Sequence, residues 1–146
     1  MKIAQIAVVS SCVMLLTVVS VSGQQRRFNP DGSFWIIGDA PKGFEDFGGI
    51  NLNSHRDRRF PTNGINLTNG ADIKFRTISI SRERLAFTTS SRRGISYRFT
   101  GRFLRGGNFF RDVADENPVL EGTLTKLSNG RVVSQAQLKF SYFGGT

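Results

Sequence analysis

The sequence predicts an all-β protein, a small antiparallel sandwich or barrel-like meander of about 6–8 strands, preceded by a signal peptide and an irregular N-terminal segment. Three observations carry that expectation. Ile95, Tyr97, Phe99, Gly101 and Phe103 alternate with Ser96, Arg98, Thr100 and Arg102, the period-2 pattern of a strand with one aromatic and one basic face. Strand-like runs recur from Ile73 onward, punctuated by turn signals such as Ser128-Asn129-Gly130. No stretch beyond the N-terminal apolar segment carries a period of 3.6 residues.

That apolar segment, residues 1–23, has the make-up of a secretory signal. Lys2 supplies the positive start, Ile6 to Val19 the apolar stretch, and Val21-Ser22-Gly23 the small residues at a cleavage position. The stretch is short of the roughly 20 apolar residues that span a bilayer, so the expectation is an exported, extracellular protein beginning near Gln24 with no transmembrane anchor. Its removal takes away Lys2 and the only cysteine, Cys12, so the formal charge falls from +9 to +8 and no thiol remains. Small extracellular domains usually offset a limited core with disulfides. This chain has to rely on sheet hydrogen bonding and on its 13 Phe, all of which follow residue 23. Without thiols, and with His55 as the single histidine, a cysteine nucleophile, a thiolate metal site and the usual His-based zinc site are excluded. No cofactor is expected.

Residues 24–59 read as an irregular or pro-segment. Pro30, Asp31-Gly32, Pro41, Gly43 and Gly48-Gly49 punctuate them, and Ser33 to Ile37 is the one strand-like run. The β domain is expected over 60–146. Within Ile73 to Ser81 the parity changes, Ile73 and Phe75 sharing one and Ile78 and Ile80 the other, which calls for a bulge or for burial on both faces. Leu85 and Phe87 mark the next strand, joined to the Ile95 strand across Ser90 to Gly94. The last element is a hairpin, Leu120 to Leu127 and Arg131 to Phe143. A two-residue Asn129-Gly130 loop sets Leu124 opposite Gln135. A three-residue loop with Gly130 left-handed sets Leu120 opposite Leu138, places Leu120, Leu124, Leu138 and Phe140 on one side, and is the preferred register. A short echo links Arg26-Arg27-Phe28-Asn29-Pro30-Asp31-Gly32 to Arg58-Arg59-Phe60-Pro61-Thr62-Asn63-Gly64, too little for a repeat architecture.

The cations left after residue 23 are 15 Arg and four Lys (Lys42, Lys74, Lys126, Lys139). Arg forks pair bidentately with phosphate, sulfate and carboxylate, so the expected partners are anionic surface polymers or lipids. Nucleic acid is disfavoured for an exported chain. Arg92, Arg93, Arg98, Arg102 and Arg105 are the candidate anion-binding residues, gathered on one hairpin and the segment after it. Phe109 and Phe110, beside Arg111, form a candidate aromatic tip for a lipid headgroup region. Arg56-Asp57-Arg58-Arg59 fits the R-x-[KR]-R pattern of furin-type processing proteases, so Arg56, Arg58 and Arg59 mark a candidate cleavage site and a processing protease is a further expected partner. Residues 24–59 carry net +1 and residues 60–146 net +7, which supports a boundary there. The dibasic pairs lack the preceding Gly that peptide amidation consumes. Asn66-Leu67-Thr68 is the one glycosylation sequon.

The acidic residues Glu45-Asp46, Asp112 and Asp115-Glu116 match no calcium-loop spacing, and no nucleophile-elbow, Walker or Rossmann pattern occurs, so no enzyme is expected. In composition and plan, with a signal, a basic cleavage pattern and Gly, Phe, Arg and Asn without Cys, the 60–146 segment is similar to glycine-rich secreted antibacterial proteins such as the attacins. No residues align, and this chain is less Gly-rich, so no site is carried over. The leading reading is a secreted cationic β protein of host defence that binds anionic microbial surfaces. The alternatives are a non-lytic extracellular binding protein for an anionic polysaccharide or partner protein, and a barrel carrier of an apolar ligand. The oligomeric state is left open by the sequence.

Overall fold

A computed structural model describes residues 28–53, 63–104 and 117–143. They form eight strands: β1 (Gly32–Ile36), β2 (Phe47–Leu52), β3 (Gly64–Leu67), β4 (Asp72–Ile80), β5 (Arg84–Thr89), β6 (Ile95–Phe103), β7 (Leu120–Ser128) and β8 (Arg131–Phe143). Each pairs antiparallel with the next, and β8 returns to β1 through Ser33–Phe143, Phe34–Tyr142, Trp35–Ser141 and Ile36–Phe140, closing an up-and-down barrel. The all-β expectation holds, with the barrel as its outcome.

The expectation of an irregular 24–59 segment is corrected. It contributes β1 and β2, and β2 was hidden by Gly48-Gly49, which reads as a turn. In the sheet those glycines are a packing requirement, since a Cβ on Gly48 would sit 2.8 Å from Asn66 Nδ2 and one on Gly49 would sit 2.7 Å from the Phe34 carbonyl oxygen. β3 was missed because four residues are too few to show a period. The echoed sequence segments end at Gly32 and Gly64, which open β1 and β3 at the same end of the barrel.

An eight-stranded barrel has a lumen just wide enough for side chains. Here aromatic rings occupy it. Phe34, Phe44, Phe99 and Phe140 are fully buried, with Phe99 edge-on to Phe140 at 5.7 Å and stacked on Phe87 at 5.4 Å. The Phe99 ring has room because Gly101 and Gly122 face each other across β6 and β7; its Cζ lies 2.7 Å from where a Gly122 Cβ would stand. Truncating such a ring to Ala costs about 3–5 kcal/mol. A lumen filled by its own chain speaks against the apolar-carrier reading.

One end is closed by tight connections. Arg93-Gly94 (φ 51° and 80°) and Asn129-Gly130 (φ 49° and 79°) are two-residue turns of the left-handed kind that match strand twist, and the Asn129 N–H donates to the Gly94 carbonyl at 2.8 Å. The β1–β2 connection crosses this end and buries Phe44 completely.

The hairpin register also needs correction. Ser128 pairs with Arg131 and Leu127 with Val132, as an Asn-Gly loop requires. Val133 is then extra, so that Leu124 faces Ala136 and Leu120 faces Phe140. A bulge, and not a third loop residue, returns Leu120, Leu124, Leu138 and Phe140 to one face. Both devices restore the same parity, so alternation could not choose between them. In β4, of the two alternatives, a bulge or burial on both faces, the bulge is the one present, at Arg76 between the Phe75–Thr89 and Thr77–Thr88 pairs. Ile78 and Ile80 then lie opposite the buried Phe87 and Leu85, yet remain 46% and 40% exposed. Among the described residues β3 reaches only Asp72 to Lys74 on the other edge of β4, which leaves them uncovered.

Candidate functional site

The site is built on β6. Tyr97, Phe99 and Phe103 point into the core, so Ser96, Arg98, Thr100 and Arg102 are driven to the outer face. Antiparallel pairing extends these positions into rows that cross the wall. One row runs Ser79, Ala86, Thr100, Thr123, Gln137; beside it runs Thr77, Thr88, Arg98, Thr125, Gln135; on the other side Arg84, Arg102, Glu121, Lys139. Hydroxyls within rows are already oriented, the Thr77 and Thr88 Oγ1 atoms 2.6 Å apart and Gln137 Nε2 donating to Thr123 Oγ1 at 2.7 Å.

Three shallow depressions lie on this wall. The first, about 340 Å³, has Arg76, Thr77, Thr88, Ser96 and Arg98 among its lining. The second, about 280 Å³, shares Thr77, Thr88 and Arg98 with it and reaches Thr100. The third, about 450 Å³, begins at Thr100 and passes over the Gly101–Gly122 pair to Thr123, Gln137 and Lys139. The bulge adds Arg76 to the cluster, a residue that alternation could not assign because a bulge breaks the parity count. Neither Arg76 nor Arg98 forms a salt bridge with a described residue, and the first depression has no carboxylate in its lining.

The candidate arginines do not converge as a group. Arg98 sits mid-wall. Arg102 stands four residues along β6, about 13 Å away, and is engaged by Glu121 through Nε at 2.8 Å and Nη2 at 2.6 Å. Arg92 and Arg93 lie in the turn at the closed end, where Arg92 Nη1 donates a long 3.4 Å bond to the Asp72 carbonyl. Arg105, Phe109, Phe110, Arg56, Arg58 and Arg59 fall outside the described residues. Asn66 lies within β3, its side chain over Gly48 and Gly49 and its Oδ1 buried without a partner.

A second polar cluster was missed. Lys126 points inward at the closed end, where Nζ donates to Asp46 Oδ1 at 2.8 Å, Asp46 Oδ2 at 2.9 Å and the Gly43 carbonyl at 3.2 Å. The Tyr97 hydroxyl donates to Asp46 Oδ2 at 3.0 Å, and Lys126 Nζ stands 5.9 Å from the Tyr97 ring centroid. Burial first, then the Asp46 charge and hydrogen bond, push the Tyr97 phenol far above its usual range. The Gly43 N–H donates to both Glu45 carboxylate oxygens at 2.9 Å and holds that carboxyl below its usual value. These groups tie the β1–β2 connection to the barrel. The available signal was Lys126 on the same parity as Leu120 and Leu124, a charge on an apolar face. Among the described residues no three His, Cys, Asp or Glu side chains come together as a metal site, and no helix is long and apolar enough to cross a membrane.

Compared with known proteins, the chain matches no family model, no curated protein and no solved structure. The functional reading therefore rests on the geometry of the wall.

Proposed function

We propose that the protein is a secreted, cationic binding protein of host defence that holds anionic polymers of microbial surfaces against the outer wall of its barrel. The observation that carries the reading is the pair Arg76 and Arg98, which share one hydroxyl-rich depression without a carboxylate in its lining. Guanidinium groups so placed have forks available for a phosphate, sulfate or carboxylate, with the hydroxyls of Thr77, Thr88 and Ser96 as further partners. Cleavage after Arg59 belongs to the same proposal as its maturation step; glycosylation at Asn66 is not retained, because that side chain packs over Gly48 and Gly49 within β3.

The non-lytic alternative, retention of an anionic polysaccharide or partner protein, is favoured by one feature. The exposed aromatics Trp35 and Phe143 lie on β1 and β8, and the outward rows of β4 to β7 carry no aromatic wedge that could enter an acyl layer.

The test is binding of the 24–146 chain to lipopolysaccharide, anionic vesicles and heparin across a salt series. Arg76→Ser plus Arg98→Ser is compared with Lys42→Ser plus Arg131→Ser, which removes equal charge elsewhere. Lys126 is unsuitable as a control because it is clamped to Asp46. The groove variant should weaken binding clearly more than the control at physiological salt, where the Debye length of about 8 Å screens distant charges. Equal losses would mean a diffuse charge effect and no site. Binding to heparin but not to vesicles would select the non-lytic alternative.

A further inference from the structure

We infer that the occupant of this wall is a linear acidic polysaccharide, laid across the strands from β4 to β8. The inference rests on the anion-binding reading and gives its ligand a chemical class. The first observation is continuity: the first and second depressions share Thr77, Thr88 and Arg98, and the second and third meet at Thr100, so they join into one trough crossing five strands. Four inter-strand steps give a path of roughly 19 Å, too long for a single headgroup and suited to an extended chain. The repeat of an extended pyranoside chain is close to the inter-strand spacing, so successive rings meet successive strands.

The second observation is what lines the path. Its middle row is Ser79, Ala86, Thr100, Thr123 and Gln137: beside the Ala86 methyl, four neutral side chains that donate and accept hydrogen bonds and match ring hydroxyls. Its charges stand at separate stations, Arg76 on β4, Arg98 on β6 and Lys139 on β8, besides the Arg102–Glu121 pair. Over β7 the trough passes Glu121, held in place by Arg102. A polymer charged at every unit, such as polyphosphate, would bring an anion against that carboxylate, whereas a polysaccharide passes it with an uncharged stretch.

The experiment uses the 24–146 chain with oligouronates of graded length and, separately, inorganic polyphosphate, read by calorimetry. Affinity for the oligouronates should rise with length until the trough is spanned and then level off. Thr123→Val plus Gln137→Met removes the neutral hydrogen-bonding pair together, leaving neither member orphaned, and should weaken oligouronate binding about tenfold, the loss of two modest hydrogen bonds. The same variant should leave polyphosphate binding unchanged, and the single Trp35 provides a fluorescence check that the barrel is intact. Unchanged oligouronate affinity in this variant, or no dependence on length beyond added charge, would overturn the inference while leaving the Arg76/Arg98 anion site standing. Failure of the wild-type chain to bind either polymer would overturn that site and the inference together.

Discussion

Tyr97 and Tyr142 are the only tyrosines in the chain, and each phenol donates a hydrogen bond that ties it into the barrel. Tyr97 donates to Asp46, and Tyr142 donates to the Asp31 carbonyl at 2.5 Å. Burial is the first cause that raises both above the usual 10.0, with the nearby Asp46 and Asp31 charges adding to it. A group whose folded value is raised contributes stability that is fully present below its unfolded value and is lost as the pH climbs through the folded one. The folded protein should therefore form no tyrosinate as the pH passes 10, and ionisation should coincide with alkaline unfolding, followed by absorbance near 295 nm and circular dichroism together. Asp46→Asn should bring the Tyr97 step down without restoring it to the ordinary range, because burial remains. Tyrosinate appearing near pH 10 in folded protein would contradict these contacts. At this scale the sequence was legible where alternation operates. Arg98 and Arg102 were placed outward correctly because Phe99 and Phe103 had to be inside. Arg76 was not legible, since its role comes from a bulge whose position depends on the partner strand.

Elements were legible in proportion to their length and regularity. The nine residues of β6 announced themselves, whereas β2 carries two glycines that a single-strand view must read as a turn. Their purpose appears only when Asn66 on β3 and Phe34 on β1 are brought alongside. The β1–β2 connection looked like loose Gly/Pro chain, yet it buries Phe44 and is clamped through Asp46 to Lys126. Lys126→Met keeps the stem and removes the charge-assisted bonds. It should cost about 1.5–2 kcal/mol in denaturant unfolding, the low side of the usual range for bonds to charged groups, because the Asp46 side chain is 43% exposed. The same variant should make the connection cleavable by trypsin at the exposed Lys42 under conditions where the parent resists. A change within a few tenths of a kcal/mol with no new cleavage would mean that Phe44 alone holds the connection down.

For the whole molecule, the fold class followed from periodicity, but closure did not, because the contact that closes the barrel joins β1 to β8 across the length of the domain. That contact changes what cleavage after Arg59 would do. Residues 60–146 supply β3 to β8 and leave two new edges, one on β8 where β1 sat and one on β3 where β2 sat. They also lose Phe34, Phe44, Phe47 and Ile50 from the core. Burying each such side chain contributes about 1.5–3 kcal/mol, so the loss is comparable with the whole stability of a small domain. A cut in the β2–β3 connection, by contrast, leaves every strand pairing in place. The expected product of processing is therefore a nicked barrel in which 24–59 stays bound by its pairing with β8 and β3. Digestion of the 24–146 chain with a furin-type protease should yield two fragments that co-elute under native conditions and separate in denaturant, with Arg59→Ala uncut. The 60–146 piece expressed alone should lack the cooperative unfolding transition of the parent and regain it on addition of the 24–59 peptide. A stably folded 60–146 piece that neither needs nor binds that peptide would show that β1 and β2 are dispensable and that the strands re-close without them.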